Sequence, residues 1–249
     1  MNRLLPIAGP LVVLLAWQLA FMSEAISIII LPSPASVAEA GLALLSGSGR
    51  LWGDMGITLG RMLLATALSA LIGVPLGLVM GVFSRLYSAL SFLIDFFRSI
   101  PPIALFPLFI LVFGLSNAAM VAVPVYGCTL VLAVSSVYGV RNTPSIRRDV
   151  AKVLRMSPTR TFFTIVLPSA LPQIASGLRV AISLAMVLTI VVEMLIGTSD
   201  GLGRRIYQYH ISFDAPEMYF CIILVGAVGY LLNHAFVLVE RRVIHWSDA

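Results

Sequence analysis

Charge is scarce in this chain. Only 11% of its 249 residues are Asp, Glu, Lys or Arg, whereas soluble domains carry about a quarter. Hydrophobic residues make up 59%, and the mean hydropathy is +1.02, which excludes a water-soluble globule. Cysteine is nearly absent. Cys128 and Cys221 both lie inside apolar runs, so a disulfide framework and a zinc site are excluded and both read as small buried hydrophobes. The three histidines, His210, His234 and His245, are scattered, which leaves no metal site and no nucleophile-base pair for an intramembrane enzyme. No GxxxxGK[ST] phosphate loop occurs. The alternating pattern of a β-barrel is missing, as is the internal repeat of an ion-driven secondary transporter, the chief rival reading. The net charge of +5 comes from arginines set between apolar runs, without the basic-aromatic stripe that nucleic acid requires.

What is present is a series of long apolar runs. A helix needs about 20 residues to cross the hydrocarbon, and only helices satisfy their own backbone there. Six spans are expected, at about 4–22, 58–83, 87–114, 117–139, 169–197 and 217–239. The first follows Arg3 without a small-x-small cleavage site and reads as a retained span. With the N-terminus inside, the inner segments hold Arg3, Arg85, Arg141, Arg147, Arg148, Lys152, Arg155, Arg160, Arg241 and Arg242. Arg50, Arg61, Arg204 and Arg205 fall on the other side. This excess orients both termini to the cytoplasm and predicts a multi-pass membrane protein.

Ala65, Ser69, Gly73, Gly77 and Gly81 recur every four residues in the second span, a small-residue stripe that lets another helix approach closely. Pro101 and Pro102 break the third span. A break at membrane depth must be covered by protein or line water, which places FFRSIPPIALFP at a helix junction or near a transport path. Asp95, Arg98, Arg179 and Glu193 are charges embedded in spans. Each pairs locally, lies near a membrane edge, or guides a substrate.

The most charged stretch separates the fourth and fifth spans. Thr143 and Pro144 form a cap-and-proline start. Ile146, Val150, Val153 and Leu154 share one face of the helix that follows, opposite Arg147, Arg148, Asp149, Lys152 and Arg155. Ser157 and Pro158 repeat the start signal and predict a second short helix reaching Leu167 and Pro168. The result is a helix-turn-helix elbow over about 141–168. On the residues alone, contact with anionic lipid and docking to a protein are equal readings.

The stretch DVAKVLRMSPTRTFFTIVLP resembles the cytoplasmic EAA signature of permease subunits of binding-protein-dependent ABC importers. Asp149 matches the acidic position, Ala151 the second alanine, and Ile165, Leu167 and Pro168 the closing residues. Val150 replaces the first alanine, and Arg155 stands at the turn glycine, where a left-handed backbone costs about 1–2 kcal/mol. LPSPASV, RSIPPIALFPLFILVFGLS and EMLIGTSDGLG are similar to the subgroup that imports nitrate, sulfonates and taurine.

The resemblance implies an all-α polytopic protein, with 1–249 forming one transmembrane domain of an importer. It implies two copies of a separate ATPase subunit that uses ATP, a second permease copy forming a homodimer, and an extracytoplasmic binding protein received near 33–56 and 199–216. No cofactor is expected on this chain. Asp149, Val150, Ala151, Leu154, Arg155, Ile165, Leu167 and Pro168 are the expected ATPase-coupling residues, and Arg98, Pro101, Pro102, Arg179 and Glu193 are candidates for the translocation path.

Overall fold

A computed structural model of the chain describes residues 5–24, 26, 27, 30–47, 49–196, 200–244 and 246. Arg3, Leu4, Gly197, Thr198, Ser199 and His245, used in the sequence reading, lie outside them. All regular structure among the described residues is helical. Helix α3 (Arg50–Val82), helix α6 (Asn117–Arg141), the continuous stretch Pro158–Leu195 and helix α11 (Ala215–Val243) are long and apolar enough to cross a membrane. Helix α4 (Ser84–Arg98) and Pro102–Phe113, which ends in helix α5 (Phe106–Phe113), are apolar enough only together and are bent by 85° at the break, the geometry of a broken span or a re-entrant loop. Helix α1 (Leu5–Met22) has a shorter described apolar stretch, Ala8–Met22. Contacts divide the chain into two compact units.

The first unit comprises 1–58 and 193–228. Helix α2 (Pro34–Ser46) starts where LPSPASV demands: Pro34 opens the helix and the Ser33 hydroxyl accepts the Ser36 amide at 3.0 Å. The Trp17 indole donates to the Pro32 carbonyl at 3.0 Å, and its ring lies 5.7 Å from that of Tyr219. Gly41 gives way to the Phe220 ring, where a Cβ would collide. The short helix α10 (Leu202–Ser212) completes the unit.

The second unit comprises 59–192 and 229–249. The small-residue stripe of α3 meets α6. A Cβ on Gly73 would stand 2.6 Å from the Thr129 carbonyl, one on Gly77 would strike the Ala133 carbonyl, and one on Gly81 would stand 2.6 Å from Val140. The other side of α6 approaches helix α9 (Leu167–Ile196) as closely, Gly139 against Ala170 and Gly177 against Ser135. In lipid, such packing replaces hydrophobic exclusion as the source of helix association. Two side chains pin these contacts to backbone: Ser69 donates to the Val125 carbonyl at 3.1 Å, and the Cys128 thiol to the Ala181 carbonyl at 3.3 Å.

Two local expectations for the elbow need correction. Helix α7 (Ser145–Val153) starts one residue later than Thr143 and Pro144 suggest, with Pro144 at the cap and no side-chain cap bond. The Thr143 hydroxyl is buried without a partner among the described residues. The second short helix is not separate. Helix α8 (Pro158–Thr161) runs through a π-helical turn, Phe162–Val166, directly into α9. Pro168 explains the turn: it has no amide to donate back to Thr164, and the wider i→i+5 ring, Leu167 to Phe162, accommodates the gap.

Candidate functional site

The elbow is built from two turns that its sequence specifies. Ser157 caps the second arm, its hydroxyl accepting the Arg160 amide at 3.3 Å, with Pro158 first in the helix. The first arm ends in a Schellman motif, in which the Met156 amide donates to the Ala151 carbonyl and the Arg155 amide to the Lys152 carbonyl, both at 3.0 Å. Arg155, at the position of the signature glycine, is left-handed with φ of 49°, so the turn keeps its shape at a cost of about 1–2 kcal/mol.

The two faces of α7 differ. Ala151 is buried and lines, with Gly81, Val140, Met156, Val166 and Arg148, a cleft of about 250 Å³. On the outer face Val150, Val153 and Leu154 are 50%, 83% and 66% exposed, joined by Ile146. Asp149 pairs with Lys152 at 2.8 Å, both exposed. Such a surface pair contributes about 0.3–0.5 kcal/mol and is easily exchanged. The arms are fastened to their neighbours. Arg148 donates to the Val140 carbonyl at the end of α6, and Arg147 to the Ser169 hydroxyl at the start of α9 at 2.9 Å. Ile165 and Pro168 line a groove with Arg147, Val150 and Trp246, whereas Leu167 begins α9.

The helix break falls at Ser99–Pro101, and Pro102 packs on Gly127 of α6, where a Cβ would stand 3.0 Å from the proline ring. The Tyr126 hydroxyl donates at 2.6 Å to the Phe97 carbonyl, which also accepts the Ile100 amide at 3.1 Å, and so ties the break to α6. Asp95 and Arg98 are exposed on α4, and neither side chain has a hydrogen bond or ion pair among the described residues. At the bilayer centre each charge would cost about 2.5–3.5 kcal/mol on insertion scales.

The remaining embedded charges are Arg179 and Glu193. Arg179 pairs with Glu240 of α11. Glu193 belongs to the first unit and is wholly buried. The Thr58 hydroxyl bridges its two carboxylate oxygens at 3.0 and 2.8 Å, and the Gly203 amide donates to it at 3.0 Å. Gly201, at φ of 105°, lies against the same carboxylate with no room for a Cβ. Thr58 in turn accepts the Leu202 amide at 2.9 Å, and Asp54 accepts the Gly201 amide at 3.0 Å and pairs with Arg205. Burial alone would lower the Arg205 pKa, but the hydrogen bond and charge of Asp54 outweigh it and hold the group above its ordinary value. Burial pushes the neighbouring Tyr209 phenol up, against the opposing charge of Arg205.

Sequence reasoning missed this carboxylate clasp, and it missed the fork in which Arg61 donates twice to Asn117 Oδ1, at 3.0 and 2.7 Å. It also missed that Ser84, Ser88, Ser91, Asp95 and Arg98 recur at helical spacing along α4. That signal was open to a helical projection.

The sequence pattern of the binding-protein-dependent transport system inner membrane component matches residues 73–245. The chain belongs to this family. It is 30% identical to the bicarbonate transport system permease protein CmpB of Synechococcus elongatus over 97% of this chain and 89% of that one. To the taurine transport system permease protein TauC of Escherichia coli it is 29% identical, over 96% and 88%. In fold it resembles the MetNI methionine ABC transporter in an inward-facing conformation, with a TM-score of 0.70 at 22% identity, covering 78% of this chain and 95% of that one. The protein is therefore a multi-pass inner-membrane permease subunit of an ABC importer. Its work is passage of a solute and not catalysis, which decides against the ion-driven transporter and the intramembrane enzyme. Membership implies an ATPase and a substrate-binding protein as partners.

Proposed function

We propose that the elbow at 141–168 is the handle by which an ATP-hydrolysing subunit works this permease. The observation that carries the reading is the exposed apolar face of Val150, Val153 and Leu154 on a short helix whose remaining surface is charged. Asp149 exchanges its weak partner Lys152 for a cation of the ATPase, and Val150 and Leu154 fill that subunit's cleft. Ala151 seats the helix on its own chain, Arg155 sets the turn, and Ile165, Leu167 and Pro168 join the second arm to α9. ATP is bound and used by the ATPase alone.

The whole chain acts as one transmembrane domain with both termini cytoplasmic. Two copies face each other as a homodimer above two ATPase copies, and an extracytoplasmic binding protein docks on 33–56 and 199–216. Arg98, Pro101 and Pro102 border the path, with Arg179 and Glu193 holding its helices. The substrate is a small anion or organic compound such as nitrate, a sulfonate or taurine. Relatives named for bicarbonate and taurine support that class.

The test is co-purification. Asp149→Lys and Leu154→Glu are expected to lower recovery of the ATPase with the permease by about tenfold, the effect of 1.4 kcal/mol, while the permease still elutes as a folded species. Unchanged recovery and transport in both variants would refute the assignment.

A further inference from the structure

Helix α4 carries a polar stripe that the membrane reading leaves unexplained. Ser84, Ser88, Ser91, Asp95 and Arg98 follow one another at steps of four, three, four and three, which keeps them on a single face. Leu93 lies on the opposite face and Phe92 and Phe96 beside it, all three exposed, as lipid contact requires. Against α6 the stripe borders a cavity of about 80 Å³ lined by Ser91, Asp95, Arg98, Tyr87 and Tyr138. One water needs about 10–15 Å³ of cavity space measured this way, so the cavity admits a small solute.

Asp95 and Arg98 stand three residues apart, a spacing that ordinarily lets opposite charges meet. Here neither bonds the other nor any described side chain. An uncovered carboxylate and an uncovered guanidinium on a spanning helix must face water or a charged partner. Neighbouring cations do not neutralise Asp95: Arg141, nearest along α6, lies over the Tyr87 ring at 3.9 Å.

We infer that Ser91, Asp95 and Arg98 form a two-sign subsite of the path, which takes a small zwitterion with its ammonium on Asp95 and its acidic group on Arg98. A guanidinium presents a planar fork to a sulfonate or carboxylate, and a carboxylate accepts from an ammonium, so the unpaired charges complement both ends of one molecule. The inference rests on the permease reading and assigns its substrate class from this chain's own residues.

Thiol labelling tests it. Native Cys128 and Cys221 are completely buried and give a quiet background. Ser91→Cys and Leu93→Cys are made in the permease, assembled with its ATPase in nanodiscs, and exposed to a water-soluble methanethiosulfonate. Thiolate forms only in contact with water, so Ser91→Cys is expected to react about tenfold faster than Leu93→Cys. Protection is then compared among 2-aminoethanesulfonate, ethanesulfonate and ethylammonium. The zwitterion is expected to slow labelling most, and Asp95→Asn to reduce it to the level of ethanesulfonate. Equal protection by ethanesulfonate, or none by any probe with Ser91→Cys still reactive, overturns the subsite and leaves the permease intact. An unreactive Ser91→Cys means that lipid or a second copy covers the face, and it overturns the path placement as well. Docking of the ATPase is read separately, by co-purification, so failure of one reading is not mistaken for failure of the other.

Discussion

The buried Glu193 carboxylate allows a stability prediction that separates a structural clasp from a path residue. Two described donors reach it, the Thr58 hydroxyl at 2.8 Å from one oxygen and 3.0 Å from the other, and the Gly203 amide at 3.0 Å. Hydrogen bonds to a charged acceptor contribute about 1.5–3 kcal/mol each. Glu193→Ala therefore costs about 3–6 kcal/mol before any lost packing is counted. For a chain of this size that is a fall in Tm of at least about 6 °C. Glu193→Gln keeps the shape, and an amide oxygen in the place of Oε2 retains both donors. At these two donors it loses charge assistance, about 1–1.5 kcal/mol per bond. The order of Tm is thus wild type, then Gln, then Ala, measured on the purified permease with its ATPase by heating and counting the fraction that still elutes as the complex. Thr58→Val also strips the Leu202 amide of its acceptor and is expected to fall near the Ala variant. A double-mutant cycle with Glu193→Gln should then show strong non-additivity. If Gln and Ala both leave Tm unchanged while transport fails, the carboxylate serves the path and the clasp reasoning is wrong.

Two further outcomes follow from backbone geometry. Arg155→Gly removes about 1–2 kcal/mol of left-handed strain against about 0.5–1 kcal/mol of added unfolded-state entropy. A rise in Tm of a degree or more is expected, and a fall would mean that the arginine side chain holds the turn. Gly77→Val drives a branched side chain into the Ala133 carbonyl. Because the obstacle is backbone, a loss of folded protein at least equal to the about 1–3 kcal/mol of overpacking is expected, read as recovery by size exclusion.

Legibility in the sequence followed the range of the interaction. The Ser157 cap, the proline break and the α3 stripe depend on residues within a few positions, and each stands where its spacing put it. Thr143 misled because a hydroxyl and a following proline resemble a cap, whereas its side chain is buried and makes no cap bond. The continuous second arm was hidden because a π turn has no composition of its own and arises from the missing Pro168 amide. The Glu193 clasp joins residues 135 apart in sequence, and the Asp54–Arg205 pair residues 151 apart. Such pairings are invisible to periodicity, although the run of glycines after Glu193 carried a trace in the need for close approach at Gly201.

The fastening of the elbow says where motion is admitted. Pro172 has no amide for the Pro168 carbonyl, and the Trp246 indole, at 3.3 Å, supplies the missing donor. Arg148 likewise serves a terminal carbonyl of α6, and Arg147 reaches Ser169. A load on α7 would therefore pass into the end of α6 and the start of α9 together. Those helices touch backbone to side chain at Gly139 and Gly177, with no slack for sliding. Packed cores of this kind shift as bodies and do not stretch. The nearest compliant point is the Ser99–Pro101 break, where the helical ladder is interrupted and Pro102 bears on α6 at Gly127. On the proposed reading, a push delivered at the elbow would thus be spent in re-angling the bent pair against α6, and the polar stripe of α4 lies on the arm that this hinge would swing.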